Sequence, residues 1–278
     1  GDTLVVSHIG FESKTILIDN LKQQLLIVLK DKTIELNSVT ISPQLDAINL
    51  FSKLNLSTAP VNSAQEVLQK VPGLIIGQHA GGGKAEQLFL RGFDIDHGTD
   101  INIEVDGLPV NMASHAHGQG YADLHFLIPE TIEKIDFGKG PYYADKGNFT
   151  TAGYVAFQTK ERLKESVVKF EAGRFNTIRN MGMFNLLNNS KQAAYVGIDY
   201  QLTDGPFETS QNFNRLNIFG KYTSYLNNDD KVSLLVSRFS SKWDASGQIP
   251  ERLVNDGTIS RFGAVDDTEG GITSRTNI

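Results

Sequence analysis

The sequence predicts a mainly β chain that contains one small α+β section. After Lys160, apolar and polar residues alternate in segments of about ten residues separated by turn clusters, which is the period-two pattern of strands. Before Lys160 the β-prone runs are shorter and are broken by Gly and Pro, and one stretch has helical periodicity. The pattern of apolar and polar residues therefore changes most clearly at Lys160.

Composition excludes several classes of protein. The 278 residues allow one large domain or two or three small ones, and 26 Lys+Arg against 32 Asp+Glu give a net charge of -6. A nucleic-acid binder carries a basic patch, so no nucleic-acid partner is expected. No apolar run is long enough for a membrane-spanning helix, whereas a transmembrane β-barrel stays open because its signal is weak per strand. The chain has no cysteine, which excludes disulfides and thiolate metal sites.

Residues 1–36 predict a small all-β unit, and residues 37–60 predict a linker. The β-rich runs in the first part are Leu4–Ile9, Lys14–Ile18, Leu25–Leu29 and Thr33–Leu36. The linker contains one β-prone pentapeptide closed by Pro43, which consists of Ser38, Val39, Thr40, Ile41 and Ser42. Because the chain begins at Gly1 and stops within a repeating pattern, we expect it to be an internal piece of a longer protein.

Residues 61–160 predict the α+β section. Ser63 followed by Glu66 is a capping box for a helix that runs through Val71 and is stopped by Pro72 and Gly73. Later runs predict strands over Leu74–Ile76, Gln87–Arg91 and Ile101–Val105, with turns at Arg91-Gly92 and Asp106-Gly107.

The section closes on the stretch from Ile132 to Lys160. Ile135 and Phe137 share one face of a strand, and Lys134 and Asp136 face the other way. A turn follows that includes Gly140 and Pro141, because Gly accepts positive φ and Pro fixes φ. A second strand is predicted over Tyr154–Thr159. This pair of strands ends one domain and leads into the next.

Residues 161–278 predict long antiparallel strands. Short turns at Asn188–Lys191 and Leu226–Asp230 differ from the longer polar loop over Thr203–Phe213. An outer-membrane barrel gives this pattern, and so does a soluble antiparallel sheet. The strand length favours the barrel, because ordinary strands have about five or six residues.

No catalytic constellation is present, so no enzyme activity and no cofactor are expected. Lys84 follows a Gly-rich run but lacks the flanking residues of a phosphate-binding loop. The polar loop from His97 to Asp123 is instead the predicted ligand-binding segment. Its candidate ligand-binding residues are His97, Asp100, His115, His117, Tyr121 and Asp123. His115 and His117 are also candidate metal ligands, which requires a curved loop; a ligand-facing polar loop and plain structural hydrogen bonding are the alternatives.

Several motifs together resemble the plug domain of a TonB-dependent outer-membrane receptor, in order and spacing over about 100 residues. They are Val71-Pro72-Gly73, Leu90-Arg91-Gly92, Val105-Asp106-Gly107-Leu108-Pro109-Val110-Asn111, Ile132-Glu133-Lys134-Ile135 and Gly138-Lys139-Gly140-Pro141. The matching positions Pro72, Gly73, Arg91, Gly92, Asp106, Gly107, Gly140 and Pro141 would be structural residues of the plug. The chain departs from the family where a Gly-Gly pair is usual and Ala152-Gly153 stands instead.

The resemblance implies a plug in the lumen of a barrel of about 22 strands, of which residues 161–278 would be the first. The location would be the outer membrane, in contact with lipid, with the N-terminal part in the periplasm. The partners would be an extracellular ligand and TonB, which would pair with residues 38–42 as the TonB box. Arg91 would face acidic residues of the barrel wall. Residues 1–36 resemble the second half of a carboxypeptidase-regulatory-like β-sandwich.

Uptake of a nutrient is then the expected function. A metal complex or siderophore is favoured by the His-rich loop, and an oligosaccharide stays open. A non-transporting surface binding module or adhesin built on β-sandwiches is the alternative from another class.

Overall fold

A computed structural model describes residues 2–8, 11–18, 27–30, 61, 63–77, 83–116, 118–226, 230–246, 249–263 and 272–277. The chain divides into two compact units, residues 1–45 and 46–278. The predicted linker, with its pentapeptide 38–42, lies outside the described residues, as do the predicted strand at 33–36 and His117.

The first unit contains one antiparallel pair, β1 (Asp2–Val6) and β2 (Lys14–Ile18). The strand predicted over Leu25–Leu29 is wrong for its described part, because residues 27–30 form no strand. They contact the pair by single bonds instead, as when the Glu12 amide donates to the Lys30 carbonyl at 2.9 Å. The resemblance of this unit to a regulatory-like β-sandwich stays a prediction.

The first described helix of the second unit is short: α1 (Ala64–Val67), extended by a 3-10 turn over Leu68–Lys70. Ser63 caps it as predicted, since its hydroxyl accepts from the Glu66 amide at 3.3 Å. The α-helical part is shorter than predicted. Val71 precedes a proline and takes an extended conformation with ψ 115°, so the last turn tightens rather than continuing.

Two small sheets complete the section over residues 61–160, here called the plug section. The first contains β3 (Leu74–Gly77), β4 (Gln87–Leu90) and β5 (Phe93–Ile95), in that order. The second has the order β7-β6-β9-β8, with β6 (Ile101–Val105), β7 (Leu108–Pro109), β8 (Ile132–Lys139) and β9 (Gly153–Thr159). Strand β9 pairs parallel with β6 and antiparallel with β8.

One hydrophobic core lies beneath both small sheets. Its fully buried members include Leu88, Ile101, Ile103, Val155 and Phe157. The predicted faces of β8 are confirmed, because Ile135 and Phe137 are buried while Lys134 is exposed. Alternation therefore holds for these positions of β8, since one side of the strand packs on the core.

The third sheet, here called the wall sheet, joins six strands in sequence order, each antiparallel to the next. They are β10 (Val167–Ala172), β11 (Ile178–Asn188), β12 (Gln192–Thr203), β13 (Phe213–Tyr225), β14 (Lys231–Ser246) and β15 (Ile272–Asn277). A short helix, α2 (Glu251–Asn255), lies between the last two. Strands β11 to β14 have 11 to 16 residues, so the strands predicted after Lys160 exist and are longer than expected.

Several charged side chains of the wall sheet are buried, and several of its large apolar side chains are exposed. Its exposed positions include Val168, Phe170, Leu186, Val232, Leu234 and Val236, which are 57 to 73% exposed. Its buried positions include Arg179, Asp199, Arg215, Asn217 and Lys221. A soluble half-buried sheet shows the opposite arrangement, with polar residues outward. An apolar outer face and a polar inner face are the pattern of barrel strands in lipid.

None of the helices in the described ranges is long and apolar enough to cross a membrane.

Candidate ligand site and plug–wall contacts

The loop after β7 is held in one shape by the side chain of Asn111. Its amide donates to the carbonyls of Gly98, Ile101 and Gly120, each at 2.9 Å, and its Oδ1 accepts from the Ile103 amide at 2.7 Å. The Ala122 amide closes the loop on the His97 carbonyl at 2.7 Å. These bonds join two ends of the loop that are far apart in sequence, so the candidate ligand segment is pre-organised.

Three of the six candidate ligand-binding residues meet in this loop. The His115 ring stacks on the Tyr121 ring, with centroids 4.0 Å apart and planes within 11°, and the His97 ring lies 5.6 Å from Tyr121 on centroids. His97 is buried and holds φ 57°, an uncommon conformation for a residue other than Gly. The partly exposed His115 is therefore the accessible member of the ring stack.

The other candidates lie in different surroundings. Asp100 accepts from the Thr99 hydroxyl at 3.2 Å, and its carbonyl accepts from the Ala152 amide at 2.8 Å. Asp123 pairs with the buried His125, whose Nδ1 is 2.6 Å from Asp123 Oδ1. Among the described residues, no three His, Asp or Glu side chains are grouped so that they could hold a metal ion. Metal binding by His115 and His117 stays a prediction.

The pKa values of two neighbouring buried carboxyl groups shift in opposite directions. Burial alone would raise the pKa of Asp123, but the charge and hydrogen bonds of His125, with Arg215 beyond, hold that pKa below its usual value. Burial raises the pKa of Glu86 to about 7, His125 offsets this in part, and Glu66 and Asp123 raise it further. Glu86 thus changes its charge near neutral pH, whereas Asp123 stays ionised.

The sequence gives no sign of the role of Glu86, because nothing in its neighbourhood sets it apart from a surface carboxylate. It is 5% exposed, and its Oε2 has no hydrogen-bond partner among the described residues. Gln65 on α1 is also fully buried, and its Oε1 accepts from the Leu124 amide at 3.0 Å, while its Nε2 has no partner in the part of the chain that the structure describes. An unpaired acceptor and an unpaired donor are therefore buried around the Asp123–His125 pair.

The segment before Glu86 contacts the wall sheet. The ring of Trp243 on β14 lies so close to Gly83 that a Cβ there would overlap the ring, so only Gly fits. Two residues on, the Ala85 amide donates to the Tyr121 hydroxyl at 3.0 Å. Trp243 is near the end of β14 that neighbours the long loop 204–212, since the Asp244 amide donates to the Gln211 carbonyl at 2.7 Å. The ring stack thus lies at the long-loop end of the wall sheet.

A buried ion-pair network also joins the plug section to the wall sheet. Arg179 donates to both oxygens of Glu130, at 2.7 and 2.9 Å, and its Nε donates to Asp199 at 2.7 Å. Asp199 also pairs with Arg215 at 3.2 Å. Arg179 holds the pKa of Glu130 below its usual value although burial acts in the opposite direction. Glu130 therefore remains charged and fixes the start of β8 to β11 and β12.

A second contact lies near the short turns. Lys221 on β13 donates to Asp106 Oδ2 at 3.0 Å and to the Thr159 hydroxyl at 2.8 Å, and Asp106 Oδ1 accepts from the Thr159 amide at 2.9 Å. An open cleft of about 690 Å³ beside it is lined in part by Glu133 and Glu161. Both contacts thus lie at the same end of the plug section's last strand pair, because Ile132 at the start of β8 pairs with Thr159 at the end of β9.

The predicted structural residues of the plug section occupy turns. Arg91 and Gly92 have φ 51° and 83°, and Asp106 and Gly107 have φ 50° and 79°; both pairs form two-residue hairpin turns. Gly73 and Gly140 also have positive φ, and their neighbours Pro72 and Pro141 are exposed. The side chain of Arg91 is exposed, and its carboxylate partner stays a prediction.

Comparison with known families identifies the class. Residues 42–154 match the family model described as TonB-dependent Receptor Plug Domain. The plug section is therefore similar to a TonB-dependent receptor plug, and it is followed by strands like those of the receptors' barrels. This confirms the predicted fold class and, with it, the location in the outer membrane.

Individual transporters are similar to this chain in sequence or in structure. The vitamin B12 transporter BtuB of Vibrio vulnificus strain CMCP6 is 25% identical over 213 residues, which are 72% of this chain and 33% of the relative. The solved structure of the ferric citrate transporter FecA matches with a TM-score of 0.59 at 16% identity, over 72% of this chain and 31% of that one. The copper transporter OprC matches with a TM-score of 0.55 at 18% identity, over 68% and 29%. The chain thus spans about a third of the length of these relatives.

Proposed function

We propose that this chain is the plug and first wall strands of a TonB-dependent outer-membrane receptor that binds an extracellular nutrient and admits it to the periplasm. One observation carries the proposal: a plug fold is held by buried ion pairs against a sheet whose opposite face is apolar and exposed. Charges buried on the plug side and aliphatics on the outside suit a lumen and a lipid surface. In this role the chain binds and releases its ligand without chemical change.

The ligand site is proposed at the ring stack of His97, His115 and Tyr121, with Asp100 and Asp123 of the same loop as further candidates. His117 stays a candidate from the sequence, because it lies outside the described residues. Two arguments support this place. The stack lies at the end of the wall sheet that carries the long loops, which would be the outer end. The loop is also pre-organised by Asn111, so little ordering entropy is lost on binding.

A metal-bearing complex is the proposed ligand class, because accessible imidazole suits transition metals and their complexes. Vitamin B12, which the curated relatives transport, is itself a cobalt complex, so it is the first ligand to test. A ferric siderophore and an oligosaccharide are the next candidates. Energy would come through TonB, which would pair with residues 38–42 by strand addition.

Titration calorimetry on the full-length receptor in detergent tests the ligand site. Cyanocobalamin, a ferric siderophore and a neutral oligosaccharide are each titrated into the wild type, His115→Ala and the control His8→Ala, which lies in the first unit. We expect one metal complex to bind, with at least tenfold weaker affinity for His115→Ala and no change for the control. Equal affinity of wild type and His115→Ala for whichever ligand binds would refute the site, and binding of the oligosaccharide alone would refute the ligand class.

Growth tests the transport proposal separately. A strain that lacks the gene should fail to grow when the bound ligand is the only source of its nutrient, and a plasmid copy should restore growth. A copy with Val39→Pro and Ile41→Pro should not restore growth, because Pro removes the amide donors that strand addition needs. Full growth with the proline variant would reject residues 38–42 as the TonB box.

A further inference from the structure

We propose that Glu86 is a proton-controlled latch, which holds residues 83–86 against Trp243 while its carboxyl group is neutral and releases them when the group ionises. The inference rests on the proposed function for what it regulates, because Ala85 contacts the ligand-site residue Tyr121. Its physical basis is independent of any ligand. A neutral carboxyl tolerates burial, whereas an unpaired carboxylate does not.

Glu86 is a buried acid with an incomplete set of hydrogen bonds. The residue is only 5% exposed, and its Oε2 has no hydrogen-bond partner within the described ranges. Most buried carboxylates are paired with a cation or with several donors. The described surroundings of Glu86 instead leave one of its two oxygens without a donor, so ionisation puts charge on an oxygen that no protein group stabilises.

The charged groups around Glu86 disfavour its ionised form. Glu66 on α1 and Asp123 on the loop are negative, and His125 is the titratable base that offsets them. His125 is already committed to Asp123 at 2.6 Å, and Arg215 of the wall faces Asp123 rather than Glu86. A negative Glu86 therefore meets two like charges and one shared base, which favours either proton uptake or movement into water.

Few contacts attach residues 83–86 to their surroundings. Among the described residues, the Ala85 amide donates to the Tyr121 hydroxyl at 3.0 Å, the Ala85 side chain is buried, and Gly83 lies against the ring of Trp243. A single hydrogen bond and a single ring contact each stabilise a segment only weakly. Ionisation of a buried carboxyl group opposes them, so it can release the segment.

Release would change the ligand site and the wall together. Loss of the Ala85 bond removes one hydrogen bond from the hydroxyl of Tyr121, on whose ring His115 stacks. Loss of the Gly83 contact uncovers Trp243, next to the long-loop end of the wall sheet. The receptor would then present a closed outer plug surface at mildly acidic pH and an open one at alkaline pH.

Spin-label spectra of the full-length receptor without ligand test the latch. A nitroxide is attached at Lys84→Cys, and a control label at the exposed wall position Val232→Cys. Between pH 5.5 and 8.5 the mobile fraction at position 84 should rise severalfold with a midpoint near pH 7, and the control should stay constant. Because no ligand is added, failure of this test leaves the ligand-binding proposal untouched, and the reverse also holds.

Two variants identify the titrating group. Glu86→Gln keeps the shape and stays neutral, so the label should be immobile across the whole range. Glu66→Gln removes one like charge, so the midpoint should move to lower pH by about half a unit while the transition persists. A flat profile in the otherwise unchanged receptor, or a transition that persists in Glu86→Gln, would overturn the proposal.

Discussion

Removal of Arg179 should loosen the plug from the wall far more than removal of Lys169, although both pair with the same carboxylate. Glu130 is 14% exposed; Arg179 is 2% exposed and Lys169 is 44% exposed. Truncating one partner of a buried ion pair costs about 3–5 kcal/mol, because it leaves an uncompensated buried charge. An exposed pair contributes about 0.2–1 kcal/mol.

Amide hydrogen exchange measures the difference at the right place. The Lys160 amide donates to the Thr131 carbonyl at 2.7 Å, directly beside Glu130, so its protection reports local opening. A tenfold change corresponds to about 1.4 kcal/mol, so Arg179→Ala should lower the protection roughly 150- to 4,000-fold and Lys169→Ala at most about fivefold. The measurement uses the full-length receptor in detergent micelles at pH 7.

A cycle with Glu130→Ala controls for general damage. Without Glu130, the loss of Arg179 leaves Asp199, which keeps its pair with Arg215, and the more exposed Glu171. The double variant should therefore lose less protection than the sum of the two single variants. Equal effects of Arg179→Ala and Lys169→Ala, or strict additivity in the cycle, would refute the view that this network fixes the plug.

Three further predictions follow from the same contacts. Lys221→Met should lower protection of the Thr159 amide about 10- to 100-fold, since it breaks bonds to Asp106 and Thr159, while Lys231→Met, which loses a half-exposed pair with Glu161, should change it little. Gly83→Ala should destabilise the plug by about 1–3 kcal/mol in thermal melts, because its Cβ overlaps Trp243, whereas Gly147→Ala meets no atom within 4 Å and should be neutral; similar melts for both would contradict the contact. Burial raises the pKa of Glu86 from 4.5 to about 7. The folded protein therefore keeps its full stability below pH 4.5 and loses about 3 kcal/mol of its free energy of unfolding as the pH rises to 7, and Glu86→Gln should remove this loss. Parallel curves of stability against pH for the two proteins would refute this.

The strand order and faces could be predicted because alternation is a local signal. Ile198 and Tyr200 face outward on β12 while Asp199 between them is buried, and the sequence states that alternation directly. The same parity also places Arg179, Arg215 and Lys221 on the inner face. Alternation along each strand is therefore enough to predict that these charged side chains of the wall sheet lie on its inner face, where both ion-pair contacts form.

Other features depend on contacts that no local pattern encodes. Strand β5 is not predicted from the sequence, because the two-residue turn at Arg91-Gly92 leaves so short a run after it. Gly83 and Trp243 are 160 positions apart and meet only once the plug lies on the wall. Glu86 becomes distinctive only through burial by α1 and the loop at Asp123. All six candidate ligand residues lie close together along the sequence, and in the structure three of them contact one another through their rings.

The place of β9 in its sheet has a consequence for folding. It lies between β6 and β8, and its parallel pairing joins residue 101 to residue 153. Neither β6 nor β8 can complete its ladder on that side until β9 has been synthesised, immediately before the first wall strand. Pairings of such sequence separation are slow to form, because loop closure precedes the gain from contacts. The edges of β6 and β8 should therefore stay unpaired on that side until β9 joins them, which makes the closing of this sheet a late step of folding.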